Sequence, residues 1–311
     1  MTTQRLVCPS LLLVAAAALF GQAAKNPAVK KRSAASAPAA SPTRRLVDAH
    51  VHYNGDRAFL DKMLARLDEH DGAAFLLTAP KDMLDVETYI AQHPGRFIGF
   101  GAISLDDPQA LQQIDRFNTA GFRGLGEMTG PLKNYDDKSY WPIYERAEKY
   151  GMVILFHTGI VNRMTPDVPA DISVDRMRPT TLDNIARRFP KLTIIGAHLG
   201  NPDYAWAAEI ARWNPNLYFD LSGSTLIKLQ ENYQAFKSIF WWSSVVSPHT
   251  PKSNVSAFEK IVFGSDVFGG EVEEFDRELE RYQRMLDACG VSRQAQANIF
   301  GGTLRRILNL Q

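Results

Sequence analysis

Cysteine is almost missing from this chain: of 311 residues only Cys8 and Cys289 carry a thiol. Cys8 falls in an N-terminal stretch that reads as a leader, so the remainder holds one cysteine and no internal disulfide. Its stability must come from a packed core. Long apolar runs are also missing. Leu11–Phe20 is an uninterrupted run of ten residues, well under the roughly 20 that a membrane-spanning helix needs. Residues 1–45 contain no Asp or Glu but seven Lys or Arg. The whole chain is +1, which leaves the remainder at −6. A mildly acidic body argues against an enzyme whose surface must neutralise nucleic-acid phosphates.

What is present at the front end follows from those absences. Arg5, the apolar run and the small residues Gly21-Gln22-Ala23-Ala24 make residues 1–24 a secretory signal peptide. The alternative is an uncleaved anchor. Residues 25–45 are rich in Ala, Ser, Pro and basic residues without aromatics. They cannot bury enough surface to fold and read as a flexible linker. The expected location is therefore the periplasm or the exterior, with no stable membrane insertion after cleavage.

From residue 46 onward, short apolar runs alternate with amphipathic stretches. The runs read as eight strands: Leu46–His52, Ala73–Ala79, Phe97–Leu105, Phe122–Met128, Met152–His157, Leu192–His198, Leu217–Leu221 and Lys260–Asp266. Strands with few internal polar residues, each joined to the next by a helical pattern, indicate a buried parallel sheet. Eight such units predict an α/β fold, a single (β/α)8 TIM barrel over residues 46–311. A doubly wound open sheet would carry a Gly-rich turn after its first strand, and none follows His52.

The ionisable residues fall at telling places. His50 and His52 close the first run, two residues apart, so both side chains can reach one ion. Glu127 closes the fourth run, His157 the fifth, His198 the sixth and Asp266 the eighth. The C-terminal ends of barrel strands are where such enzymes work. Burying several imidazoles and carboxylates together is costly unless they share a cation. Asp48 is a candidate partner for a ligand histidine. His70, His93 and His249 read as surface or turn residues. Gly196 and Gly264 read as packing residues at the barrel mouth.

With DAHVH at residues 48–52, HTG at 157–159, GAHLG at 196–200, GSD at 264–266 and a closing tail from Asn298 to Leu310, the chain resembles the amidohydrolase superfamily. The similarity covers roughly residues 46–311 and is nearest to the amidohydrolase-related branch of metal-dependent hydrolases and non-oxidative decarboxylases. The resemblance implies that His50, His52, His157 and Asp266 are metal ligands. It makes His198 an acid/base residue or a ligand for a second ion. Related binuclear centres often carry a carboxylated lysine on the fourth strand. Glu127 stands there instead, as in the TatD-like deoxyribonucleases.

The expectation is a divalent metal, zinc by its ligand types, as one ion or as two bridged by Glu127. Asp266 would be the general base and proton shuttle, and His198 would stabilise the oxyanion or protonate the leaving group. Arg163 and Lys133 are candidate anchors for a substrate carboxylate. Trp241 and Trp242, in the long connection after the seventh strand, are candidates for substrate binding or for a homodimer contact. The expected activity is hydrolysis of a small amide, lactone or ester. Non-oxidative decarboxylation of an aromatic or unsaturated acid is the alternative, and phosphodiester cleavage is disfavoured by the acidic body.

Overall fold

The structure, a computed structural model, describes residues 46–162, 165–228, 233–243 and 256–310. The leader, the linker, Arg163 and His249 lie outside these residues. Seven parallel strands form one sheet in sequential order: β1 (Val47–His52), β2 (Ala73–Thr78), β3 (Phe97–Gly101), β4 (Gly124–Met128), β5 (Val153–Phe156), β6 (Thr193–Gly196) and β7 (Leu217–Phe219).

The eighth predicted strand is a shorter, less regular closure. Residues 257–260 form a helical turn, and the chain then runs between β7 and β1. Val262 N–H donates to Phe219 O at 2.9 Å, Ala49 N–H to Phe263 O at 2.9 Å, and His52 N–H to Val267 O at 2.9 Å. These bonds join the two edges of the curled sheet into a barrel-like ring. Among the described residues no helix is long and apolar enough to cross a membrane.

Side chains alternate along the strands between two hydrophobic clusters. Val47, Phe75, Phe100, Leu155 and Ile195 belong to an inner set that Leu304 and Leu308 join from the C-terminal helix. Phe75 and Phe100 stack there with centroids 4.2 Å apart. Strand residues of opposite parity, such as Leu76, Leu125 and Ile154, pack with helix residues such as Leu60, Ile114 and Ile185. The helical patterns of the sequence at 59–70, 108–119, 140–150, 180–189, 204–213 and 272–288 form helices at Arg57–Glu69, Ala110–Thr119, Trp141–Tyr150, Thr181–Arg188, Tyr204–Trp213 and Glu273–Ala288. Local chemistry sets their ends. The Asp56 carboxylate caps the first of these by accepting from Ala58 N–H, and Gly151 ends the third in the left-handed conformation.

One irregularity bears on function. The β1–β2 register shifts between Asp48 and Val51, which inserts an extra residue into β1. Asp48 therefore pairs with Ala74, of the helix-facing set, whereas His52 pairs with Leu77, of the inner set. Asp48 and His52 consequently leave the strand on opposite faces, which simple alternation did not anticipate.

Candidate metal centre

Six predicted residues converge at the C-terminal mouth of the strands. His50 and His52 close β1, and their Nε2 atoms lie 3.1 Å apart. Asp266 Oδ1 lies 3.4 Å from His50 Nε2 and 3.3 Å from His52 Nε2. The Glu127 carboxylate approaches the same pair, at 3.7 Å from His50 Nε2 and 3.9 Å from His52 Nε2. Nitrogen and oxygen donors bound tetrahedrally to one zinc sit about 3.4 Å from one another, given bonds of about 2.1 Å. These four side chains are therefore spaced as ligands of one ion are.

A second group meets the first at Glu127. Its Oε1 lies 3.0 Å from His157 Nδ1 and 3.3 Å from His198 Nε2. His50, His52 and Glu127 form one set of donors within reach of a common ion, and Glu127, His157 and His198 form another. His157 Nε2 is buried without a hydrogen-bond partner, and a buried polar atom left so calls for an explanation. Two facing imidazole nitrogens, an orphaned third and a central carboxylate form a donor set that fits divalent cations.

Electrostatics points the same way. Burial opposes protonation of His50, but Asp266, Glu127 and Asp220 outweigh it and raise its pKa to about 10. His198 is likewise opposed by burial and carried to about 9, chiefly by Glu127. Burial pushes Glu127 upward, and His50, His157 and His198 override it, holding that carboxylate well below its usual range. Asp266, desolvated but facing His50 and His52, is held at about 2. The pocket thus concentrates negative charge that must be balanced by protons or by a cation.

The backbone that aims these groups is unusual. His198 and Asp266 both adopt left-handed φ, at 62° and 56°. That conformation costs a non-glycine residue about 1–2 kcal/mol, and specific bonds hold each in place. His198 N–H donates to Asp220 Oδ1 at 3.0 Å, and Asp266 N–H to His50 O at 2.8 Å. His198 is thus not a strand residue: β6 ends at Gly196, and His198 sits in the turn Ala197–Gly200.

Gly126 sets the approach of Glu127. Its φ is +133°, and a Cβ there would stand 2.4 Å from Leu155 O. Gly126→Ala is expected to displace Glu127 and to lower stability by about 2 kcal/mol, from backbone strain combined with the clash. Urea unfolding of the purified protein checks the value, and an unchanged midpoint would rule out this account of the β4 end.

Asp220, which sequence reasoning passed over, organises the centre. Fully buried, its Oδ2 lies 3.0 Å from His50 Nδ1. Its Oδ1 accepts from His198 N–H and from the Ser222 hydroxyl at 2.7 Å. Ser222 O in turn lies 2.6 Å from His198 Nδ1. The available signal was Asp220's place in LYFDL, one residue before the end of the seventh apolar run, much as Asp266 closes the eighth. Asp48 does not take the expected role. Its Oδ1 accepts from the His50 and Ser265 backbone N–H groups at 2.9 Å, not from an imidazole.

The centre opens on a cavity of about 350 Å³ whose wall includes His52, Glu127, His157, His198, Asp266, Lys228 and Phe268. Lys228 brings the cation that Lys133 was expected to bring. Lys133 instead bonds to the Ser139 hydroxyl at 3.0 Å, away from this wall. Neither tryptophan is among the described residues lining the cavity. Trp242 is buried beside Phe240, and Trp241 is exposed with the Arg212 guanidinium 5.2 Å from its ring. Both belong to a segment that follows the helix Tyr233–Ile239 and packs on the barrel's outside. His70 and His93 cap helix C-termini, as expected. Gly196 packs under Phe219 and Gly264 under Asp220, so both serve close approach.

Comparison with known proteins fits this geometry. The profile of the Amidohydrolase family matches residues 47–310. A 91-residue stretch is 31% identical to the 2-amino-3-carboxymuconate-6-semialdehyde decarboxylase of Dictyostelium discoideum, and it spans 25% of this chain and 25% of that protein. Among solved structures, the 5-carboxyvanillate decarboxylase of Sphingomonas paucimobilis superposes with a TM-score of 0.57 at 16% identity. That match covers 86% of this chain and 100% of the other. The dihydroorotase of Saccharomyces cerevisiae gives 0.54 at 11% identity, over 86% of this chain and 85% of the other. At such identities these two show a shared fold and nothing finer.

Proposed function

We propose, from the premise that this chain belongs to the Amidohydrolase family across residues 47–310, that it is a metal-dependent hydrolase of a small organic amide, lactone or ester. The observation that carries the reading is the position of Glu127, shared between the His50–His52 set and the His157–His198 set. Glu127 would serve ions held by either set, so the donors present could hold two ions as well as one. When bound, divalent ions supply Lewis acidity, lowering the pKa of associated water towards about 7 and polarising a carbonyl.

The chain's own residues supply the rest. Asp266 is ionised throughout the neutral range and borders the cavity. It takes the proton of the attacking water and returns it to the departing amine or alcohol. Asp220 and the Ser222 carbonyl fix the rings of His50 and His198. Lys228 stands in the wall as a cation for a substrate carboxylate.

A second reading, non-oxidative decarboxylation, is favoured by Lys228 and by the resemblance of 91 residues to a decarboxylase. The two separate cleanly in water enriched in oxygen-18. Across a panel of lactones, esters, amides and unsaturated acids, hydrolysis predicts one labelled oxygen in the acid product. It also predicts one or two divalent ions per chain by elemental analysis. Release of CO2 with no label incorporated overturns the hydrolase assignment.

A further inference from the structure

Beside the cavity over the metal centre lies a second hollow of about 420 Å³, and the two share Ile160, Val161 and Asn162 in their walls. None of the nine described residues lining this second hollow is charged. Beyond the shared residues the wall includes Val168, Ala170, Ile172 and Val174, all from the connection after β5. Four large aliphatic side chains there remain open to solvent: Ile160 is 57% exposed, Val168 56%, Ile172 48% and Val174 39%. Soluble proteins rarely gather apolar surface in one concave place without a use for it.

The hollow is held in shape. Ile160 N–H donates to Asn201 O at 2.9 Å and Gly159 N–H to Met177 O at 3.0 Å. Arg176 Nη1 donates to Pro131 O at 2.9 Å. The contrast with the first cavity is one of charge: ionisable donors surround the reacting position, and beside it the described wall carries no charge and is mostly aliphatic, with Asn162 and Thr165 as its polar members.

We propose that this hollow is the subsite for an apolar arm of the substrate, so that the enzyme acts on amphipathic molecules. The substrate would carry an alkyl or aryl group of several carbons beside the bond that reacts. This deepens the functional reading above and rests on its metal centre. The arm runs past Ile160 and Val161 and lies against Ile172 and Val174, losing water from each methylene it buries.

The test uses straight-chain alkyl hydroxamates, whose head group chelates a divalent ion, titrated calorimetrically into the zinc-loaded protein. Acetohydroxamate reports on the metal centre alone. Affinity is expected to rise about threefold per added methylene, and at least a hundredfold from acetohydroxamate to octanohydroxamate. An Ile172→Asp, Val174→Asp variant is expected to bind acetohydroxamate as the parent does and to lose the dependence on chain length. Two results overturn the subsite while leaving the metal centre standing: equal affinity along the series, or a chain-length dependence that survives in the variant. If no hydroxamate binds, the metal centre fails and the subsite fails with it.

Discussion

Replacing both His50 and His52 by alanine is expected to leave a folded protein that retains no more than a trace of divalent metal and of activity. The two Nε2 atoms, 3.1 Å apart, face Asp266 and Glu127 across a space that no other described nitrogen fills in the same way. Without them the two carboxylates face each other with no imidazole between, and mutual repulsion favours protonation over cation binding. A bound ion contributes several kcal/mol of transition-state stabilisation. At about 1.4 kcal/mol per tenfold, the rate is expected to fall by at least about a thousandfold. Elemental analysis after gel filtration, with circular dichroism to establish folding, checks the first part, and turnover of the best substrate checks the second. Full metal occupancy in the double variant would sink the assignment of this cluster.

Much of this centre could be read without coordinates, for one physical reason. In a parallel barrel every strand ends at the same face, so a polar residue closing an apolar run is placed in space by its place in the run. His50, His52, Glu127, His157 and Asp266 were legible on those terms. The register shift in β1 was not, because an extra residue leaves no compositional trace, and it moved Asp48 to the opposite face from His52. Lys228 was hidden because it lies on a four-residue helix, Thr225–Lys228, whose position over the cavity depends on how the chain leaves β7. The tryptophans were ambiguous for a related reason. Exposure and burial in a long connection are set by packing on the barrel's flank, and an aromatic cluster on a polar background is compatible with either. What burial added to the reading is a network whose groups are distant in sequence: Asp220 and His50 are 170 residues apart.

That network yields the sharpest test of how the centre is tuned. Asp220→Asn keeps the size of the side chain and leaves one carbonyl oxygen to accept from His198 N–H and from Ser222, as Oδ1 does now. The amide nitrogen then faces His50 Nδ1, where Oδ2 stands at 3.0 Å. A carboxylate accepts a hydrogen bond from Nδ1–H, which keeps the ring proton on Nδ1 and leaves Nε2 with a free lone pair, directed at His52 and Asp266. An amide N–H donates instead, which makes Nδ1 the acceptor and moves the ring proton to Nε2. His50 is then blocked as a ligand by its own proton, although no donor atom has been removed. Partners that orient ligand histidines in this way typically change metal affinity about 10–100-fold. We expect a loss in that range for Asp220→Asn, measured by competition with a chelator of known affinity. The loss should exceed that in Ser222→Ala, which removes a hydroxyl that donates to Asp220 and lies 3.3 Å from His50 Nδ1 but leaves the carboxylate in place. Metal affinity equal to that of the parent would show that His50 keeps its tautomer without Asp220, and the carboxylate would then have no part in holding the ion.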